Sequence, residues 1–320
     1  MNKLVQCVPN FSEGRDLAII ERIVEPLKNQ KGFKLVSYES DGDYNRTVVT
    51  LLGDPEMMIE PLLNFTEQVL INIDMNFQSG EHARMGAIDV LPFIPIGNIT
   101  MDECVEYANI IAKKINDKFD IPIFMYAEAA NKKDRKRLPN IRKGEFEGMK
   151  EKIKEDNWIP DFGKREIHPT FGVIGIGARV PLIAYNIDLD TKDITIPKKI
   201  AQAIRNSSGG FTFVQAGPVY LNERGHVQVT MNILNYKKNP VYRIFETVKM
   251  EALRYNVDVT NSELVGLIPK DAVVRSLKYY FSVNNIEYNN DFSLDEITKY
   301  AIKYLKFRDF NKEKIIEANI

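Results

Sequence analysis

The amino-acid sequence predicts an α/β protein of two subdomains, each a mixed or antiparallel sheet with helices on one face. Three observations carry this expectation. The chain has 320 residues, room for two units of ordinary size. Its periodic segments follow the order strand–helix–strand–strand–helix–strand twice over, the split βαβ arrangement. A charged interval without strand period, 131–156, and a glycine-rich stretch after it separate the two runs. A second organised half starts near Gly172, and the division is put at 1–178 and 179–320. No sequence identity relates the halves, so the shared order rests on pattern alone.

Lys3 to Val8 reads as a strand, and Leu17, Ile20, Ile23, Val24 and Leu27 recur at helical spacing. Phe33 to Tyr38 and Thr47 to Leu52 read as strands joined by the acidic turn Asp41-Gly42-Asp43-Tyr44-Asn45. Asp54-Pro55 starts a helix, a capping side chain followed by a proline at the first helical position. Ile88 to Ile96 is extended, Thr100-Met101-Asp102-Glu103 opens a helix with a capping box, and Ile121 to Tyr126 returns as a strand. In the second half Val180–Leu189, Phe211–Ala216, Val227–Leu234 and Val257–Thr260 read as strands, with helices at Pro197–Asn206 and Val241–Tyr255. Glu223-Arg224-Gly225 is a turn. After Tyr280 a Lys-rich helical tail is broken at Asn284-Asn285 and Asn289-Asn290.

Composition excludes several classes. Hydrophobic residues make up 44% and charged residues 27%, ordinary values for a globular chain. The formal net charge of −1 argues against a nucleic-acid binder, whose affinity comes from excess Lys and Arg. Cys7 and Cys104 make neither a disulfide framework nor, with three dispersed histidines, a metal site; no metal is expected. No segment reaches the ~18 apolar residues of a membrane span, and the N-terminus lacks a signal-peptide core. A cytoplasmic protein is expected.

The segment Ser79-Gly80-Glu81-His82-Ala83-Arg84-Met85-Gly86-Ala87-Ile88-Asp89 is the most suggestive chemically. Two glycines flank a Glu-His-x-Arg cluster just before an apolar strand. Glycine lets backbone approach a ligand closely, and histidine titrates near neutrality. An adjacent Glu or Asp could orient the ring, and Arg84 could grip a carboxylate; a solvated surface loop is the plainer reading. The stretch from Asp161 through His168-Pro169-Thr170-Phe171-Gly172 to Gly175-Ile176-Gly177 is either a ligand loop or a hinge. Gly175-x-Gly177 lacks the strand, third glycine and helix of a dinucleotide fingerprint. His168, preceding a proline, reads as structural or ligand-lining, and His226 as solvated. The run Lys132 to Arg137 reads as a solvated face or an attractor for an anionic substrate tail. Glu39, Asp41 and Asp43 could support a catalytic base, or be ordinary turn residues.

Several separated motifs resemble the glutamate formimidoyltransferases, which also occur as the N-terminal part of bifunctional formimidoyltransferase–cyclodeaminases. They are Cys7-Val8-Pro9-Asn10-Phe11-Ser12-Glu13-Gly14, Asn45-Arg46-Thr47-Val48, Gly80-Glu81-His82-x-Arg84-Met85-Gly86-Ala87, Leu138-Pro139-x-Ile141-Arg142-x-Gly144-Glu145-Phe146-Glu147, Pro160-Asp161-Phe162-Gly163 and Gly177-Ala178-Arg179. Leu182-Ile183-Ala184-Tyr185-Asn186 and Leu264-Val265-Gly266-Leu267-Ile268-Pro269 extend the likeness, which spans about residues 3 to 280.

The resemblance implies a folate cleft between two α/β subdomains, a homodimer, and transfer of a formimidoyl group between N-formimidoyl-glutamate and N5 of tetrahydrofolate, the co-substrate, in histidine degradation. His82 falls on the catalytic histidine, and its supporting acid on Glu39, with Asp41 or Asp43 as substitutes. The folate loop falls on Gly163, Lys164, Arg165, Glu166, Ile167, His168, Pro169, Thr170, Phe171 and Gly172, and a second folate contact on Ala203, Ile204 and Arg205. Arg46 and Arg84 are candidates for a substrate carboxylate. If Gly172 lines the pterin site, a valine there should intrude on the ligand. Ala83 stands where animal relatives carry proline, and Lys164, Arg165 and Glu166 add charge to the folate loop. The alternatives are formyl transfer from 5-formyltetrahydrofolate, or folate binding without turnover. The length leaves no room for a cyclodeaminase domain, so a single step is expected.

Overall fold

The structure is a computed structural model that describes residues 3–42, 44–221, 224–288 and 291–320. Asp43, Glu223, Asn289 and Asn290, which enter turns read above, lie outside the described residues. The chain forms two units, residues 1–179 and 180–320.

The first unit runs β1 (Leu4–Cys7), β2 (Asn10–Phe11), α1 (Leu17–Val24), β3 (Phe33–Asp41), β4 (Arg46–Gly53), α2 (Pro55–Asn72), β5 (Ile88–Gly97), α3 (Met101–Phe119), β6 (Ile123–Ala127), α4 (Leu138–Arg142), α5 (Glu145–Lys152) and β7 (Ile174–Ala178). Local chemistry sets the helix starts. Asp16 accepts the N–H groups of Ala18 and Ile19, Asp54 accepts that of Glu56, and Thr100 with Glu103 completes a capping box.

The sheet order is β3–β4–β1/β2–β5–β7–β6, with β1 and β2 as successive pieces of one interrupted strand position. Pairings from β3 to β5 are antiparallel, and β5–β7 and β7–β6 are parallel. Alternation along β6 sorts its side chains: Ile123 and Met125 join the main core, while Phe124 and Tyr126 join a smaller cluster with Ile141, Met149 and Ile153. Thus α4 and α5, in the interval read as structureless, fill the second face at this end of the sheet. Arg135, expected on a solvated face, is 1% exposed and ion-paired to Asp161 at 2.6 Å.

Strand β7 differs from the sequence reading. Its glycines were read as part of a ligand loop or a hinge, with a second organised half starting near Gly172; residues 174–178 instead form a strand inside the first sheet, on the first side of the 178/179 division. A Cβ on Gly177 would sit 2.4 Å from the Tyr126 carbonyl oxygen, so the glycine serves close strand packing.

The second unit runs β8 (Ile183–Leu189), α6 (Thr195–Ile204), β9 (Val214–Leu221), β10 (His226–Ile233), α7 (Val241–Leu253), β11 (Val259–Val265), α8 (Lys270–Val283) and α9 (Leu294–Leu305). Its antiparallel sheet has the order β11–β8–β10–β9. Numbered by position in each βαββαβ run, both units show 4-1-3-2, and the first adds β7 and β6 beyond its fourth strand. Ile183, Tyr185, Ile187 and Leu189 alternate inward with Val227, Val229, Met231 and Ile233. Among the described residues no helix is long and apolar enough to cross a membrane.

The segment after Tyr280 is no appended tail. Phe292, Ile297, Ala301, Leu305, Phe307, Phe310 and Ile315 belong to the second core. The Ser262 N–H donates to the Lys306 carbonyl and the Arg308 N–H to the Ser262 carbonyl, both at 2.8 Å, so the segment borders β11. Phe307, edge-on to Tyr185, is the most telling contact. Phe307→Ala should lower the urea-unfolding free energy by about 3–5 kcal/mol, the range for emptying a buried aromatic site. A loss below about 0.5 kcal/mol, typical of surface changes, would contradict this packing.

Candidate functional site

His82 lies in a loop whose backbone is fixed by close approach. A Cβ on Gly80 would lie 2.4 Å from the Tyr44 carbonyl oxygen, and one on Gly86 would lie 2.3 Å from that of Val173. Only glycine permits both contacts. Asn45, at φ 48°, accepts the Gly14 N–H at 3.0 Å and donates to the Ser79 carbonyl at 2.8 Å. The loop is thereby held between the β3–β4 turn and the segment before β7.

At its far end the chain enters β5 with Asp89, 1% exposed. Asp89 Oδ1 accepts the Met85 N–H at 3.0 Å, closing the loop on itself. Asp89 Oδ2 receives Arg142 from α4, and lies 3.4 Å from His82 Nε2. That second contact is close enough for strong electrostatic coupling but too poorly aligned for a hydrogen bond. Burial pushes the Asp89 carboxyl up, but Arg142 and His82 outweigh it and hold it below the usual carboxylate range.

Burial dominates the His82 ring and pushes its pKa below the ordinary 6.5. Asp89 opposes that shift, and Arg46 and Arg142 add to it. The imidazole is therefore neutral at and above pH 6.5, as a general base must be. With Asp89 beside Nε2, the favoured tautomer carries its proton there and leaves Nδ1 as the basic nitrogen.

The acid found within ion-pair distance of His82 is Asp89, whereas Glu39 and Asp41, the acids implied by the resemblance, lie on β3. Glu39 sits exposed on β3 opposite Val48. Asp41 accepts the Tyr44 N–H at 2.9 Å and pairs in register with Arg46, whose charge it stabilises.

Arg84 is also reassigned. Its guanidinium meets Glu145 and Glu147, each at 2.8 Å, and its Nε donates to Gln78 Oε1 at 2.9 Å. These bonds leave it a clamp between the His82 loop and α5 rather than a grip for substrate. Arg46 has its Nε buried without a hydrogen-bond partner, and its guanidinium lies over the Tyr44 ring.

The stretch 163–172 meets the His82 loop through its backbone. The Ala87 N–H donates to the Phe171 carbonyl at 2.8 Å, and the Val173 N–H donates to the Met85 carbonyl at 3.2 Å. His168 Nδ1 accepts the Phe171 N–H at 3.1 Å, a structural use of the ring. Lys164 pairs with Asp120 at 2.6 Å and Arg165 with Asp156 at 2.5 Å, so the charges added to this loop face neighbours on the surface. Gly172 has φ 86°, and a Cβ there would lie 2.4 Å from the Met85 carbonyl oxygen. A valine would therefore strike protein backbone, not a ligand, correcting the expectation for that position.

In sequence comparisons, the model described as "Formiminotransferase domain, N-terminal subdomain" matches residues 4–179, and "Formiminotransferase domain" matches 184–320. The chain belongs to the formiminotransferase family. It is 46% identical to a "Glutamate formimidoyltransferase" of Streptococcus pyogenes serotype M1, over 90% of this chain and 97% of that one. It is 42% identical to one of Thermoplasma acidophilum, over 90% and 95% respectively. A "Formimidoyltransferase-cyclodeaminase" of Dictyostelium discoideum is 40% identical over 93% of this chain and 56% of its own length. The family match reaches residue 320, beyond the likeness to about 280 read from motifs, in keeping with the buried 292–315 segment.

In this formiminotransferase, Ala203, Ile204 and Arg205 fall at the end of α6 in the second unit. Ile204 is buried in that unit's core, and Arg205 Nε donates to Ser208 Oγ at 2.8 Å. His226, expected to be solvated, is half-buried with Nε2 3.6 Å from the fully buried Asp188. Arg142, quoted above only as a family match, is the functional neighbour that residue spacing could not reveal. It lies far along the chain from Asp89, and only the packing of α4 brings them together.

Two outcomes follow. Gly172→Val should lower stability by about 1–3 kcal/mol or more, through strained backbone, and the melting temperature should fall without folate present; an unchanged melting temperature would contradict the close approach. Asp89→Asn removes the anion that favours imidazolium. The acid limb of kcat/KM, expected below pH 6.5 in the unmodified protein, should move lower still; an upward move would show that Asp89 does not act on His82.

Proposed function

We propose that this chain is a glutamate formimidoyltransferase acting in the cytoplasm on N-formimidoyl-L-glutamate and tetrahydrofolate. The observation that carries the reading is His82, kept neutral by burial beside a buried carboxylate in a glycine-bracketed loop. The names of the similar full-length proteins support it.

The chemistry asks for one group that takes a proton and returns it. N5 of tetrahydrofolate attacks the formimidoyl carbon, and a tetrahedral centre forms. The N5 proton passes to His82 Nδ1. The bond from carbon to the glutamate nitrogen then breaks, and the same proton moves to that leaving nitrogen. The products are 5-formimidoyltetrahydrofolate and glutamate, with His82 restored. Asp89 stabilises the transient imidazolium, as an anion beside the opposite ring nitrogen does. The folate loop is assigned to Gly163–Gly172, whose main chain is bonded to the His82 loop at Phe171, as is that of the next residue, Val173. Ala203–Arg205 is assigned as the second folate contact.

The purified protein should convert tetrahydrofolate and N-formimidoyl-L-glutamate to the 5-formimidoyl product, followed by absorbance. His82→Ala should lower turnover about 10²–10⁴-fold, the usual worth of general acid–base catalysis, with folate affinity nearly unchanged. Near-normal turnover in the variant would remove His82 from the mechanism. Conversion of N-formyl-glutamate alone would reassign the transferred group, and folate binding without any turnover would leave a binding protein.

A further inference from the structure

Two guanidinium groups reach the surroundings of His82 from different elements. Arg46 comes from the start of β4 and is half-buried, its Cζ 5.5 Å from the centroid of the Tyr44 ring. Arg142 comes from the end of α4 and pairs with Asp89. Both Nε atoms are buried without a hydrogen-bond partner. Such donors are costly to leave unpaired in a folded protein, and an acid bound there would satisfy them.

The charge balance points the same way. Arg142 lies near enough to weaken the positive form of Arg46, second only to burial. Asp89 and Asp41 oppose it, but Asp89 already receives Arg142, His82 and the Met85 N–H. Arg46 and Arg142 both lie close enough to His82 to lower its pKa, and the Nε of each is buried without a hydrogen-bond partner.

We propose that Arg46 and Arg142 form a carboxylate site beside His82 that takes the α-carboxylate of the formimidoyl donor. This rests on the transferase reading above. The α-carboxylate is the one assigned because it shares a carbon atom with the nitrogen that leaves, whereas the γ-carboxylate is two further carbons away. N5 of the folate carries no neighbouring acid, so the site belongs to the donor. A guanidinium matched to a carboxylate also fixes its orientation, presenting the reacting carbon at one distance from His82. The site would make the enzyme specific for formimidoyl amino acids over simple formimidoyl amines. Arg142 has a second duty as the positioning residue for Asp89, so Arg46 is the cleaner one to change.

The test compares N-formimidoyl-L-glutamate with 4-(formimidoylamino)butyrate, which keeps the distal carboxylate and lacks the α-carboxylate. The unmodified enzyme should prefer the first about 10–10²-fold in kcat/KM, the worth of a charge-assisted bond. Arg46→Gln should lose most of that preference, with KM for tetrahydrofolate unchanged. Its acid limb should also move to higher pH, because a cation has been removed from beside His82. Arg46→Lys should recover part of the preference, separating charge from folding. Equal loss on both donors in Arg46→Gln would overturn the proposal and leave Arg46 a structural residue. If the unmodified protein shows no transfer at all, the transferase reading fails by itself. Calorimetry with L-glutamate then still decides the site: weaker binding by Arg46→Gln supports it, and equal binding overturns it.

Discussion

The carboxylate of Asp89 is the point on which the first unit's chemistry depends. A buried carboxylate is tolerated only when its oxygens are matched by donors and positive charge. Here the donors are the Met85 N–H in the loop and Arg142 on α4, and the His82 ring stands 3.4 Å away as an electrostatic neighbour. Satisfying one buried charge therefore sets the loop's curvature, the docking of α4 and the place of the imidazole together. Arg84 ties the same loop to Glu145 and Glu147 on α5. The helical segment 138–152 is thus part of the site's frame, although it contributes no group to the proposed proton transfer.

Backbone contact supplies the second constraint. Gly80, Gly86 and Gly172 stand where chains pass so closely that a methyl group would overlap a carbonyl oxygen. The main-chain bonds at Phe171 and Val173 then hold the proposed folate loop and the histidine loop in one register. Preorganisation of this kind matters for transfer chemistry, because both partners must meet at a fixed distance from one base. Glycine is here a requirement of packing, which also explains why its presence in the sequence looked like a ligand signature.

What was legible in the sequence was mostly local. The caps at Asp54 and Thr100 and the alternation in β8 and β10 announce their elements through contacts a few residues apart. The two βαββαβ runs follow from those elements in order. β7 was hidden because two of its five residues are glycines, which lack the side chains that mark a strand. The 292–315 segment was hidden because its core residues are spaced among lysines and loops, so it reads as polar until the second core is assembled. Of the site, His82 was visible as chemistry in a special loop. Its supporting acid was not, because Glu39 and Asp89 are both acids near motif positions, and only the fold decides which one meets the ring. The partners of Arg84 and Arg142 were hidden for the same reason: charge type is written in the chain, but pairing is a tertiary fact.

The second unit shows why such a trio does not by itself make a site. There, too, a fully buried aspartate, Asp188, meets a histidine, His226, and an arginine, Arg308. The balance of charge is reversed, however. Arg308 also faces Glu263 at 3.4 Å and Asp309 at 3.8 Å, and Gln228 donates to Asp188 at 2.8 Å. Acids outnumber the cation, so the cluster has no surplus attraction for an anion. Arg308 lies just after the strand-like contact of Phe307 with Ser262, and its ion pair fastens the C-terminal segment to the sheet. In the first unit Asp89 meets one arginine, Arg142, and Arg46 adds a second positive charge near the histidine. The same residue types therefore serve cohesion in the second unit and are proposed to serve recognition in the first, with the opposing charges around each arginine making the difference.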